Sequence, residues 1–257
     1  MTNIHNTAVV SPKALIANDV TIGPYCVIGD KVKINAGARL MSHVVVDGNT
    51  TIGAGCNIFP FASLGTQTQD LKYKGAKTFV EIGEKTTIRE YVTVNSGTEE
   101  GEITKVGSRC HIMAYCHIAH SCEVGNDVIM ANCATLAGHI KVEDMAVIGG
   151  LAAVHQFVRI GKMCMIGGCS KITQDCPPFM LIDGNPASVH GPNSVGLKRR
   201  GISEDVQRLI KEAYKILYRQ NLSVSHAVAK IKSDLKLCDE ILHLLEFIES
   251  SQRGIIR

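Results

Sequence analysis

Residues 106–160 read VGSRCHIMAYCHIAHSCEVGNDVIMANCATLAGHIKVEDMAVIGGLAAVHQFVRI. Val106, Ile112, Ile118, Val124, Met130, Leu136, Val142, Ile148, Val154 and Ile160 recur at every sixth position, and the series runs on to Ile166 and Ile172. Upstream the same spacing carries Ile4, Val10, Ile16, Ile22, Ile28, Ile34, Leu40, Val46, Ile52, Ile58 and Leu64, then Ile82, Ile88 and Val94. Neither a helical period of 3.6 nor a simple strand alternation produces this pattern. A strict period of six with β-branched anchors reads as a hexapeptide parallel β-helix. Three hexads close one triangular coil, so each residue stacks on the one 18 positions later at strand spacing, roughly 4.8 Å.

The other hexad positions agree. Glycine often follows the anchor (23, 29, 53, 83, 107, 125, 149, 161, 167), where repeated tight turning is expected to favour it. The fourth residue after the anchor is small: Ala8, Ala14, Ala38, Ala62, Ala134, Ala146 or Ala152. Seven of the ten cysteines fall there too (26, 56, 110, 116, 122, 164, 176), which marks them as small buried apolar groups rather than disulfide partners or metal ligands. No CxxC pair is present, as a reducing compartment would allow.

Two polar stretches interrupt the prism, 65–80 (GTQTQDLKYKGAKTFV) and 95–105 (NSGTEEGEITK). Both are expected to leave it as loops, where a rigid scaffold often carries binding groups. The pattern ends at Asp175-Cys176-Pro177-Pro178, so the prism is assigned to residues 1–186 and a linker with a helical domain to 187–257. Ser203 is the expected N-cap of a helix with Val206, Leu209, Ile210, Ala213 and Leu217 on one face. Further helices are expected near 225–235 and 238–250, closing one end of the prism.

Composition sets the limits. At 257 residues, with 45% hydrophobic content, 24 glycines and no tryptophan, the chain suits many short strands around one core. A net charge of +3 is too small to argue for nucleic acid. No window is apolar enough for a membrane span, and the N-terminal residues lack a signal-peptide pattern, so a cytoplasmic location is expected.

The chemistry is expected where histidines cluster: His117, His120, His139 and His155. On the hexad grid His120, Gly138 and Gln156 each lie two residues after an anchor and 18 apart, so they stack on successive coils. The missing side chain at Gly138 opens a notch above His120 and frees its backbone to approach a ligand. An imidazole with a pKa near neutrality suits a general base, and a backbone N–H at Gly138 suits an oxyanion. Spacing alone leaves other readings open. One is a zinc site of three histidines shared between subunits, as in the γ-class carbonic anhydrases of this fold. Others are a different hexapeptide acyltransferase, using acyl-CoA or a 2-amine, and a β-helical scaffold with incidental histidines.

The hexads resemble those of the left-handed β-helix acyltransferases. The segments QDLKY (69–73), HIAH (117–120), ATLAGH (134–139), AVHQF (153–157), GGCS (167–170) and GLKRRG (196–201) are similar, more narrowly, to the UDP-N-acetylglucosamine acyltransferases of lipid A biosynthesis. That resemblance spans essentially the whole chain. It implies a left-handed coil, a homotrimer with sites between subunits, and no metal or cofactor. It also implies direct transfer of an (R)-3-hydroxyacyl chain from acyl carrier protein to the sugar 3-position. By matching position it assigns the general base to His120 and the oxyanion donor to Gly138. Asp70, Lys72, His117 and His139 match groups around the sugar and its phosphates. His155, Gln156, Asn193, Arg199 and Arg200 match nucleotide and diphosphate contacts, while Met165 and Gly168 match positions lining the acyl groove. The chain departs from the family pattern at Ser121, where Asp is usual beside the base. It departs also at Asn95, where a sugar-contacting His is common and the acceptor becomes 3-hydroxyl or 3-amine. The third departure is Val195, where an acidic nucleotide contact is usual.

Overall fold

In the computed structural model, which describes residues 2–257, the chain winds through strands of mostly two residues that stack into three parallel sheets. The first sheet starts at Asn3–Ile4 and has 11 strands, the second starts at Val9–Val10 and has nine, and the third starts at Leu15–Ile16 and has eight. The register is the one the period of six demands, with Ile4 opposite Ile22, Val10 opposite Ile28 and Ile16 opposite Ile34. From Thr21–Ile22 upward the hexad strands bury their anchors and turn the preceding residue outward, as Lys33–Ile34 and Glu123–Val124 do. From Ile22 upward the anchors form one continuous apolar column, and the cysteines of the fourth hexad position are buried with it. Each buried Ile or Leu stabilises the prism by about 1.5–3 kcal/mol. At the N-terminal end the column is open, and Ile4 is 44% exposed.

Glycine follows the anchor for a reason other than turning. At Gly53, Gly83 and Gly107 φ is not positive, but an added Cβ would meet the backbone of the next coil at 2.6, 2.5 and 2.3 Å. These glycines let stacked coils approach. The left-handed conformation falls two positions later, on residues that have side chains: Tyr25, Phe61, Ser121, His139 and Phe157 have φ between 59° and 65°. Such a conformation is unfavourable for a bulky residue and persists where the surroundings hold it. Here coil-to-coil bonds do so, for example His139 N–H to His120 O at 3.0 Å and Phe157 N–H to Gly138 O at 3.1 Å.

Three edges result, and they differ in chemistry. The first edge, between the first and second sheets, carries a ladder of rings. Tyr25, His43, Phe61, Tyr91 and Tyr115 follow one another with centroids 4.8–5.0 Å apart, and four of the five are large exposed apolar groups. The second edge carries Ser121, His139 and Phe157, and both polar loops leave from it, after the strands Ser63–Thr66 and Thr93–Asn95. The third edge carries Asp127, Met145 and Met163.

The segment read as a linker is more ordered than that. Ala187–Pro192 pairs antiparallel with Met180–Gly184 and extends the first sheet, so a division at 186 cuts a hairpin. Short apolar content in 187–192 hid this strand, because its pairing partner lies outside the hexad pattern. Four helices follow: α1 (Ser194–Arg199), α2 (Glu204–Arg219), α3 (Val224–Asp234) and α4 (Asp239–Glu249). Ser203 caps α2 by accepting from Val206 N–H, and α2 buries Ile210, Ala213 and Leu217. The helices are tied to the last coils by Arg159. Its guanidinium meets the buried Asp175 at 3.0 Å, donates to Phe247 O at 2.7 Å and lies over the Phe247 ring. No helix among the described residues is long and apolar enough to cross a membrane.

Candidate active site

His120 stands on the second edge, two residues beyond the buried anchor Ile118, and its side chain is 14% exposed. The glycine one coil above is what accommodates it. A Cβ at Gly138 would fall 2.3 Å from His120 Cε1 and 2.4 Å from Nε2, so the imidazole occupies the notch that the register places there. Nδ1 is buried and has no hydrogen-bond partner among the described residues. Nε2 faces Asp70, whose Oδ2 lies 3.8 Å away. The first loop thus returns to the edge it left and sets a carboxylate beside the histidine.

Burial holds the His120 imidazole below its ordinary pKa. The neighbouring His139 adds to this, while Asp70 and Glu102 oppose it. His117 is lowered too, first by burial and then by His120; its Nδ1 is 2.7 Å from the Thr93 hydroxyl. Asp70 is held below the usual carboxylate range, mainly by the Lys72 backbone N–H, which donates to Oδ1 at 3.0 Å. At neutral pH the arrangement is a neutral, half-hidden base beside an ionised carboxylate, which suits removal of a proton from a hydroxyl or amine. The His139 ring meets His120 edge-on and stacks on Phe157 with centroids 4.8 Å apart. The Gly138 N–H is engaged by no protein acceptor among the described residues, and Gly138 itself adjoins the imidazole.

His120, Gly138, His139, His117, Asp70 and Lys72 are therefore brought to one edge within one chain. His155 and Gln156 lie on that edge one coil higher, both exposed, with His155 Nδ1 3.3 Å from Arg253 of the C-terminal tail. The remaining expected residues are not with them. Gly168 follows the strand Met165–Ile166 onto the first edge, and Met165 itself lies in the first sheet between Val147 and Leu181. Asn193 donates to Met163 O at 2.9 Å and Arg200 approaches Asp127 O at 3.5 Å, both on the third edge, with Arg199 exposed alongside. A triangular prism separates its edges, so a single chain cannot bring these three sets together.

The sequence reading missed two sets of groups. Arg253 opens the closing RGIIR (253–257), which the resemblance covers without assigning Arg253 a role. Glu102, Thr98 and Thr104 sit in or beside the second loop, where Glu99, Glu100 and Glu102 are indistinguishable as a sequence. Only the loop's path turns Glu102 inward, to accept from the Ser121 hydroxyl at 2.6 Å, and Glu100 outward, to Lys77 N–H at 2.8 Å. A carboxylate does stand beside the residue after His120, supplied from the loop. Asn95 is buried, its Nδ2 reaching Thr66 Oγ1 at 3.3 Å and its Oδ1 without a partner among the described residues.

Comparison with known proteins gives the same answer over the whole length. Residues 103–138 match the bacterial transferase hexapeptide family, and residues 175–256 match the family described as UDP N-acetylglucosamine O-acyltransferase, domain 2. The acyl-[acyl-carrier-protein]--UDP-N-acetylglucosamine O-acyltransferase of Thermodesulfovibrio yellowstonii is 55% identical, with 100% of each chain covered. The crystal structure of LpxA from Acinetobacter baumannii superposes with a TM-score of 0.95 at 44% identity, covering 99% of each chain. A UDP-N-acetylglucosamine acyltransferase from Bacteroides fragilis superposes equally well at 36% identity, covering 99% of this chain and 100% of the other. The prism is accordingly the left-handed parallel β-helix of these enzymes. With its hexads, its helical C-terminal segment and its full-length likeness to them, the chain is an acyltransferase and belongs to the acyl-[acyl-carrier-protein]--UDP-N-acetylglucosamine O-acyltransferase family.

Proposed function

We propose that this chain transfers an (R)-3-hydroxyacyl group from acyl carrier protein to the 3-hydroxyl of UDP-N-acetylglucosamine, the first step of lipid A biosynthesis, with His120 as general base. The observation that carries this is the fit of the His120 ring into the Gly138 notch beside Asp70, in a chain of this family. Because Nδ1 is buried, Nε2 is the nitrogen that a substrate reaches. It takes the hydroxyl proton as the sugar oxygen attacks the thioester carbonyl. The Gly138 N–H receives the negative charge of the tetrahedral intermediate. Collapse breaks the C–S bond, and the His120 imidazolium returns its proton to the departing thiolate. No acyl-enzyme, metal or cofactor enters this route.

The site is proposed to be completed by neighbouring copies in a homotrimer. Two features support this: the expected binding residues are spread around all sides of the prism, and the exposed ring ladder of the first edge is an apolar surface. In that arrangement Lys72, His117 and His139 hold the sugar and its phosphates. His155, Gln156, Asn193, Arg199 and Arg200 take the nucleotide, and Met165 and Gly168 line the acyl groove. Arginine and lysine suit a diphosphate. The reaction is placed in the cytoplasm, where carrier-protein thioesters and nucleotide sugars are made.

Asn95 favours a second acceptor. A hydroxyl has one proton, which His120 removes, whereas a 3-amine has a second N–H to offer the unpartnered Asn95 Oδ1. Purified protein, a series of 3-hydroxyacyl carrier proteins and both sugars test the two readings together. Product with the hydroxyl sugar is expected; product with the amine alone transfers the reading to the amino sugar, and no product with either overturns both. Light scattering is expected to give three times the 27.7 kDa chain mass, and a monomer would overturn the shared site.

A further inference from the structure

The second loop does more than stand beside the site. Glu102 Oε2 accepts three hydrogen bonds: from the Ser121 hydroxyl at 2.6 Å, from Thr98 N–H at 2.8 Å and from Glu99 N–H at 3.0 Å. Ser121 directly follows His120, and its own N–H donates to the buried Thr104 hydroxyl at 2.8 Å. Thr98, held by Glu102, points its hydroxyl at Asp70 Oδ2, 3.4 Å away. The contacts close a ring from His120 to Asp70, Thr98, Glu102, Ser121 and back through the peptide to His120. It ties both loops to the coil that bears the base. Gly97 makes room for it, since a Cβ there would lie 2.5 Å from that of Glu102.

We propose that Glu102 is a positioning residue for the transfer, fixing the peptide that carries His120 through Ser121 and holding Asp70 against the imidazole through Thr98. The inference rests on the reading of His120 as the base. Two consequences follow from the chemistry of the ring. A carboxylate that accepts three bonds is rigid, so His120 and Asp70 are set before substrate arrives. It also stays ionised: burial alone would raise its pKa, but the bonds from Ser121, Glu99 and Thr98 outweigh that and lower it. A fixed negative charge then sits near the imidazolium that forms during transfer. The charged and titratable groups facing His120 are Asp70 and Glu102, which favour its protonation, His139 and Lys72, which oppose it, and the neighbouring His117.

The test moves the carboxylate across the Ser121–Glu102 bond. E102Q keeps an acceptor at this position and removes the charge. S121D sets two carboxylates against each other, and S121D/E102Q restores one carboxylate on the other side. Expected for E102Q is a fall of about tenfold or more in kcat with little change in KM. The acidic limb of the pH profile and the His120 pKa read by NMR both move down. S121D alone is also expected to be impaired, and the double variant to recover much of kcat and of the His120 pKa. A wild-type kcat and pH profile in E102Q, or a double variant no better than E102Q, overturns the proposal. The NMR titration needs no turnover. An inactive wild type would therefore remove the proposed function, while an unmoved His120 pKa in E102Q would remove this inference.

Discussion

The imidazoles of His120 and His139, one coil apart, meet edge to face with centroids 4.9 Å apart and planes at 86°. Burial disfavours the charged form of His120, and the His139 ring at that separation acts in the same direction. Together they keep the unprotonated imidazole available at neutral pH. Replacing His120 with Ala is expected to lower transfer by about 10²–10⁴-fold. The melting temperature should stay near that of wild type, since no anchor is touched. Transfer near the wild-type rate in this variant would take His120 out of the mechanism.

Gly138 is the other half of that geometry. In G138A the new Cβ would lie 2.3 Å from His120 Cε1, and the ring must swing out of its notch. A displacement of this size is expected to reduce kcat about 10²-fold. Circular dichroism should remain that of the wild-type prism. An active G138A would mean that His120 works from another position.

Gly83 answers to packing rather than chemistry. An added Cβ would fall 2.5 Å from the carbonyl carbon of Gly107 and 2.6 Å from Ser108 N, and backbone on a stacked coil cannot step aside. G83A is expected to destabilise the protein by about 1–3 kcal/mol, seen as a lower melting temperature. An unchanged melt would show that the coils tolerate a wider spacing there.

The pH dependence of stability has one identifiable source where α4 meets the prism. His243 Nε2 lies 2.7 Å from Glu143 Oε2, and that bond raises the histidine pKa above 6.5, with burial opposing. Glu246 also raises it, and Lys162 lowers it. A raised histidine contributes stability that is complete below its unfolded pKa and is lost as pH rises through its folded value. Each side chain of the pair is about a third exposed, which limits the effect to about 1 kcal/mol or less. Thermal melts of wild type and E143Q are therefore expected to differ more at pH 6 than at pH 9. An equal difference at both values would show that the pair is not what titrates.

Much of this was legible because the period of six fixes position in space. Once Ile118, Leu136 and Val154 are seen to stack, the residues two beyond them must stack too, and the notch over His120 follows from Gly138 alone. The cysteines were legible for the same reason, since the fourth hexad position faces inward. The loops were not, because a loop's path depends on which of its polar groups find partners. Asp70 and Lys72 came from resemblance, while Glu102 came from neither pattern nor resemblance. The hairpin of 180–192 was missed because its first strand stacks on Met165–Ile166 out of the 18-residue register, Leu181 on Met165, and its second strand runs back antiparallel. The glycines after the anchors were located correctly and explained wrongly: they answer to the coil above, not to the turn.

The two loops have one more property. Strand partners that lie 18 residues apart in the regular coils, as Ile34 and Ile52 do, lie 30 apart across the first loop, Ile52 with Ile82, and 24 apart across the second, Ile82 with Val106. Each excess is a whole number of hexads, and Asp70 falls on the very phase that carries an anchor everywhere in the prism. Together the loops hold the chain of one complete coil. In material terms the edge that bears His120 is a storey left out of the tower, its residues hung outside the wall as furniture for the floors that remain.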